Sequence, residues 1–332
     1  MQRPDRIIQI ATAFYESCIL LTACELNVFG KIAELSRADV RRLAVELELN
    51  ERGLRLLLDA CVAIGLLEKQ GELYRNTPES ELFLVPGSAA NLSDALQYNR
   101  DVYPLWGRLK EFVRTGRPVE KPAIHLGEDR ERTRNFVMAM HSRAMAMGQV
   151  VLSGMDLSGR RQLLDVGGGP GTYSMFLAKK YPSLRCTVID LPEVSQFAGE
   201  LINEWGLSER ITILSGDYHT MPFPDGNDVI LFFGVLHQES PESICLLLRK
   251  AYNSMVKGGI IYVMDMMTDS SHTNPKFSAL FAVNMALTTE HGWVFADTEL
   301  EKWCLEAGFS EFKVTPLPPP VPHWLASARK NN

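Results

Sequence analysis

The sequence lacks a basic excess, which removes one class of function at the outset. Its 332 residues carry 34 Lys and Arg against 40 Asp and Glu, for a formal net charge of −6. A dedicated nucleic-acid binder shows the opposite balance. Metal motifs are also missing. The six cysteines (Cys18, Cys24, Cys61, Cys186, Cys245 and Cys304) form no Cys-x-x-Cys, and the histidines do not cluster at ligand spacing. Free thiols in a reducing cytosol are the expectation. There is no internal repeat and no long low-complexity segment; the prolines between 316 and 322 only bend the chain. The most apolar early stretch, Ile7 to Phe29, is interrupted by Gln9, Glu16 and Glu25, and so fits neither a signal peptide nor a membrane span. These absences predict a cytoplasmic protein without a metal, bound to neither nucleic acid nor membrane.

What remains is the composition of a globular protein, 46% hydrophobic and 22% charged, at a length that favours more than one domain. Near the N-terminus Ile8, Ala11, Tyr15, Ile19 and Thr22 recur at helical spacing, with Leu20, Leu21 and Ala23 broadening the stripe. A helix apolar on most sides needs more cover than a small domain supplies, which hints at a homodimer. Ser36 to Asp39 caps a helix over Val40–Leu47, and Asn50 starts another carrying Leu54, Leu57, Leu58, Cys61 and Val62. Leu66 to Tyr74 then reads as two short strands around Gly71. Helix, helix, hairpin is a winged-helix arrangement, but the second helix presents Glu51, Arg52, Arg55 and Asp59, a mixed-sign face that argues against DNA.

From Leu92 to Leu152 the chain reads as mostly helical, with a methionine-rich segment over 135–151 that suits core packing or a pocket wall. Beyond it strand and helix alternate. Strands are expected at Gln162–Val166, Arg185–Ile189, Ile211–Leu214, Asp228–Phe233 and Ile260–Asp265, the last following a Gly258-Gly259 turn. Closing strands are expected at Phe312–Thr315 and Trp324–Arg329. Short apolar strands separated by helices predict a parallel sheet covered on both faces. The domain reading is 1–100 for the winged-helix part, 101–158 for a helical linker and pocket wall, and 159–332 for the α/β domain.

The first strand of this region runs into Asp165-Val166-Gly167-Gly168-Gly169-Pro170-Gly171. Glycines there allow a sharp turn and bring bare backbone against a ligand. The spacing differs from the Gly-x-Gly-x-x-Gly of dinucleotide sites. Ligands in such folds bind beyond the C-terminal strand ends. Asp190 ends the second strand, where it can accept from both ribose hydroxyls, and Asp217 follows the third, within reach of an adenine amine.

Five segments then resemble, in order, the plant-type and hydroxyindole-type (acetylserotonin O-methyltransferase-like) O-methyltransferases. They are Leu164 to Gly171, Ile189-Asp190-Leu191-Pro192-Glu193-Val194, Ser215-Gly216-Asp217, Gly234-Val235-Leu236-His237 and Glu306-Ala307-Gly308-Phe309. The similarity extends over the N-terminal helices, which look like the family's dimerisation domain. It implies a Rossmann-like class I methyltransferase domain with a mixed seven-stranded sheet, preceded by an α-helical winged-helix dimerisation domain. It also implies S-adenosyl-L-methionine as cofactor and S-adenosyl-L-homocysteine as product. The cofactor set becomes Asp165, Gly167, Gly169, Gly171, Asp190, Leu191, Asp217, Tyr218 and Phe233.

The same resemblance makes His237 the base that takes a proton from the acceptor hydroxyl during in-line methyl transfer, with Asp265 orienting it. Met140, Asn284, Met285 and Trp293 are expected to line the acceptor pocket with Phe295, which would suit a small aromatic or polycyclic hydroxyl compound. Two positions depart from the family pattern. Gln238 stands where Asp commonly follows the His, and Val294 where a second carboxylate is expected. The imidazole would then be a weaker base unless Glu290 or His291 compensates. C-methylation, or a non-methylating reaction on the same fold, therefore stays open, as does a winged-helix regulator that senses a metabolite.

Overall fold

Side-chain caps begin the N-terminal helices where the sequence places them. Asp39 accepts from the Arg42 amide and Asn50 from the Gly53 amide, each satisfying an otherwise orphaned N–H of a first turn. The structure, a computed structural model, describes residues 3–88, 90–319 and 321–331. The chain divides after Asp101 into two compact units. Pro320, one of the prolines read as bending the chain, lies outside the described residues.

The first unit contains α1 (Asp5–Thr12), α2 (Phe14–Glu25), α3 (Val28–Leu35), β1 (Ala38–Asp39), α4 (Val40–Glu46) and α5 (Glu51–Ala63). A hairpin of β2 (Leu67–Gln70) and β3 (Leu73–Asn76) follows, then α6 (Pro78–Phe83). The strands pair antiparallel in the order β1-β3-β2. Phe29, Ile32, Leu43, Leu58 and Tyr74 are buried at the centre of this unit. The mixed-sign face of α5 neutralises itself, with Arg55 on Glu51 and Glu72 and Asp59 on Lys69 and the Tyr74 hydroxyl. By contrast α1 buries none of its residues, and Ile7, Ile8, Ile10, Phe14 and Tyr15 are exposed. Over Asp5–Glu25 the two helices reach the length and apolarity of a membrane span, which the three polar interruptions had seemed to exclude.

The helix α7 (Ser93–Trp106) carries the division between the units. The second unit continues with α8 (Leu109–Thr115) and the long α9 (Arg130–Ser153), then β4 (Gln162–Val166), α10 (Thr172–Lys180), β5 (Arg185–Asp190) and α11 (Pro192–Glu204). Next come β6 (Ile211–Ser215), β7 (Asn227–Phe233), α12 (Pro241–Ser254) and β8 (Met255–Asp265). The chain ends with α13 (Lys276–Thr288), α14 (Asp297–Glu306), β9 (Phe309–Pro316) and β10 (Trp324–Lys330). The seven-stranded sheet runs β6-β5-β4-β7-β8-β10-β9. Strands β4 to β8 are parallel, and β10 is antiparallel to both neighbours.

Strand order reverses between β4 and β7, and this places a ligand crevice at their C-terminal ends. Alternation along the strands separates two cores. Leu164, Val166, Ile230, Phe232 and Val263 face one side of the sheet, and Leu163, Val229, Leu231 and Met264 the other. Two sequence expectations need correction. Gly258-Gly259 is no turn before a strand: Asn227 pairs with Met255 and Val229 with Ile260, so the residues between bulge out of a continuous β8. The helix α13 also went unread, because its run of Phe, Leu, Ala, Val and Met is apolar on all sides and shows no helical stripe.

Candidate active site

The glycine turn after β4 is shaped for a ligand. Gly167, Gly169 and Gly171 all adopt positive φ, at 64°, 55° and 70°. A Cβ on Gly167 would lie 2.7 Å from Val235 Cγ2, whereas one on Gly169 would meet nothing within 4 Å. The chain therefore presents bare backbone to open space at Gly169. Asp165 lies beneath the turn, 2% exposed, and accepts from the Ser174 hydroxyl at 2.7 Å. Asp190, at the end of β5, accepts from the Gly169 amide at 2.7 Å and the Leu191 amide at 2.8 Å. Those two bonds use half of the carboxylate's lone pairs and leave the rest for a ribose diol. Burial pushes both carboxyls up to about 6, against the opposing pull of their hydrogen bonds.

Asp217 is more engaged than its sequence position suggests. Its Oδ1 meets the backbone amide of His219 at 2.8 Å and the ring Nδ1 at 2.7 Å. The other ring nitrogen of His219 meets Glu239 Oε2 at 2.8 Å. Burial alone would raise Asp217, but the hydrogen bonds and charge of His219 outweigh it and hold the carboxyl below its ordinary range. Tyr218 donates to Glu239 Oε1 at 2.6 Å, and its ring edge lies against the Gly167 turn. Phe233 packs edge-on against Tyr173. His219 and Glu239 were not singled out from the sequence. The only trace of them there is a histidine two residues beyond Asp217, a spacing that suits an Asx turn.

The histidine loop is built from the end of β7. Gly234, at φ 70°, turns the chain, and the fully buried Leu236 anchors a short 3-10 turn that carries His237. His237 Nδ1 meets Asp265 Oδ1 at 2.6 Å, and the His237 amide donates to Oδ2 at 3.2 Å. Asp265 is fully buried and also accepts from the Met266 amide at 2.8 Å. Its charge therefore requires a proton on Nδ1, which leaves Nε2 with a lone pair. No described residue bonds to that nitrogen. Phe281, on α13, packs edge-on against the imidazole with ring centroids 5.2 Å apart.

The two departures from the family pattern also have definite places. Gln238 donates to the Tyr218 hydroxyl at 3.3 Å, and Val294 is buried. Glu290 and His291 are exposed, so among the described residues Asp265 is the one carboxylate on the His237 ring.

The expected pocket residues separate into two groups. Met140 is half-buried on α9 and Met285 is buried on α13. Asn284 Oδ1 accepts from the Trp106 indole at 3.0 Å, tying α13 to the end of α7. Trp293 braces the histidine loop: its amide donates to the His237 carbonyl at 2.9 Å and its indole N–H to the Glu239 carbonyl at 2.8 Å. Phe295 is fully buried against Trp293 and Trp303, which makes it core rather than pocket wall. Among the described residues no three His, Cys, Asp or Glu side chains gather as a metal-binding group.

Known proteins share this sequence pattern and fold. Residues 106–310 match the O-methyltransferase domain, and residues 8–86 match the O-methyltransferase dimerisation domain. The chain is 31% identical to a 3-hydroxy-5-methyl-1-naphthoate 3-O-methyltransferase of Streptomyces sahachiroi, over 93% of this chain and 90% of the relative. It is also 31% identical to the tetracenomycin polyketide synthesis 8-O-methyl transferase of Streptomyces glaucescens, over 98% and 97%. The crystal structure of human N-acetylserotonin methyltransferase in complex with S-adenosylmethionine superposes with a TM-score of 0.90 at 29% identity, covering 100% of this chain and 99% of that one. The chain belongs to the O-methyltransferase family of S-adenosylmethionine-dependent methyltransferases.

Proposed function

We propose that the protein methylates a hydroxyl of a small aromatic or polycyclic acceptor, with His237 as general base and Asp265 as the group that orients it. One observation carries this reading: the 2.6 Å contact between His237 Nδ1 and the fully buried Asp265, which leaves Nε2 as the proton acceptor. S-adenosylmethionine, when bound, supplies a methyl group made electrophilic by its sulfonium. Asp165, Gly167, Gly169, Gly171, Asp190, Leu191, Asp217, Tyr218 and Phe233 would hold it, and the open backbone at Gly169 and the half-buried strand-end carboxylate of Asp190 suit a nucleoside. Met140, Met285 and Asn284 would line the acceptor side. His237 Nε2 would accept the proton of the acceptor hydroxyl, and Asp265 would face the positive charge that the ring gains.

The aromatic relatives and the apolar α13 support the acceptor class. The matched dimerisation domain and the exposed apolar α1 support a homodimer. His237→Ala should leave binding of S-adenosylmethionine intact and lower methyl transfer by about a hundredfold or more, the scale of general-base catalysis. Unchanged turnover would remove the base from His237. A second reading follows from the single carboxylate on His237. A weakly supported base suits an acidic nucleophile, including an activated carbon, and labelled methyl found on carbon in the product would establish it.

A further inference from the structure

One histidine on the acceptor side remains unused by this mechanism. His323 sits on the turn that leads into β10, whose next residue, Trp324, pairs with Asp265 at the end of β8. The strand register thus brings the segment that carries His323 alongside the end of β8. Asp265, His237 and Arg143 all lie within electrostatic range of its ring. Its Nδ1 is sealed from solvent and has no hydrogen-bond partner among the described residues. A buried polar atom left unpaired is costly, so such an atom beside a reaction centre is a candidate place for a ligand group to complete the bond. The neutral ring is the form present, since burial holds the His323 pKa down at about 4, with Asp265 opposing and His237 and Arg143 adding to the shift.

The surrounding charges indicate the sign of that ligand group. Asp265 is already met by the His237 ring and two backbone amides. Arg143 follows Met140 by three residues on α9, hence on the same helix face, and brings a fixed positive charge. We propose that His323 is a specificity residue that binds, through Nδ1, an ionised carboxylate on the acceptor, separate from the hydroxyl that is methylated. The preferred acceptor class is then a hydroxyarene carboxylic acid rather than a neutral phenol. This rests on the reading of the site as an acceptor pocket beside His237.

The test compares 3-hydroxy-2-naphthoate with 2-naphthol, by titration into the full-length protein saturated with S-adenosylhomocysteine. Wild-type protein should bind the acid about tenfold or more tightly than the neutral phenol, the scale of a hydrogen bond to a charged group. His323→Leu should abolish that preference while leaving cofactor affinity unchanged. His323→Asn, whose amide nitrogen can take the place of Nδ1, should retain most of it. No preference in the wild type, or a preference that survives in His323→Leu, overturns the proposal, and so does failure of both probes to bind. Turnover of the same two compounds with labelled S-adenosylmethionine separates the two claims. Methylation of both without preference sinks the role of His323 alone, whereas binding without methylation of any acceptor sinks the proposed function.

Discussion

At the residue scale, the buried Asp165 and the half-buried Asp190 at the glycine turn set a testable conflict between stability and cofactor binding. Asp165 and Asp190 both titrate near 6, above the ordinary carboxylate range, because burial disfavours their charge. A carboxyl whose folded pKa is raised adds stability that is fully present below its unfolded pKa near 4 and is lost as pH rises through the folded value near 6. The cofactor-free protein should therefore gain stability from these two groups as pH falls from about 6 towards 4. Binding should respond in the opposite sense, since a ribose diol donates best to an ionised Asp190. Affinity for S-adenosylmethionine should fall below about pH 6, approaching tenfold per unit for one required ionisation. Calorimetric titration from pH 7.5 to 5 would show it. Asp190→Asn should bind weakly throughout and lose most of the pH step; a step of unchanged size would transfer the effect to Asp165.

At the scale of elements, the glycine turn separates strain from steric exclusion. Gly169 has positive φ but an open surround, so Gly169→Ala should cost about 1–2 kcal/mol of stability from backbone strain. Gly167→Ala carries the same strain and also drives a Cβ to 2.7 Å from Val235, next to the histidine loop. It should destabilise more, and thermal unfolding of the two variants side by side gives the order. Equal losses would mean that Val235 yields without cost.

The turn was legible in the sequence because an apolar strand, an acid and alternate glycines leave few other structures open to a chain. Asp190 and Asp217 were legible because strand ends are where such sheets present side chains, and His237 because its segment resembles the family's. The network of His219, Glu239 and Tyr218 was not, since Glu239 meets the other two only after two separate loops have folded. Phe295 was assigned to the pocket on hydrophobicity, which does not distinguish a side chain facing a ligand from one facing Trp303. The β8 bulge was hidden for a similar reason, because a pair of glycines marks a turn or a bulge equally well and only the register with β7 decides.

At the scale of the whole molecule, the exposed face of α1 and the start of α2 is the feature that a single chain leaves unexplained. Ile7 is 72% exposed, Ile10 64% and Phe14 51%, and a fully buried side chain of this size contributes about 1.5–3 kcal/mol. Three such residues, counted on both copies across a two-fold axis, supply a large share of what a stable dimer requires. Ile10 and Phe14 also fall inside the segment that matches the dimerisation domain, and Ile7 immediately precedes it. Wild-type protein should sediment as a dimer at micromolar concentration. Ile7→Lys combined with Phe14→Lys should yield a folded monomer, because neither residue belongs to the buried core of the first unit. Equilibrium sedimentation with circular dichroism distinguishes dissociation from unfolding. A wild-type chain that sediments as a monomer and floats with phospholipid vesicles would assign the same face to a membrane surface, since Asp5–Glu25 has the length and apolarity for that role as well.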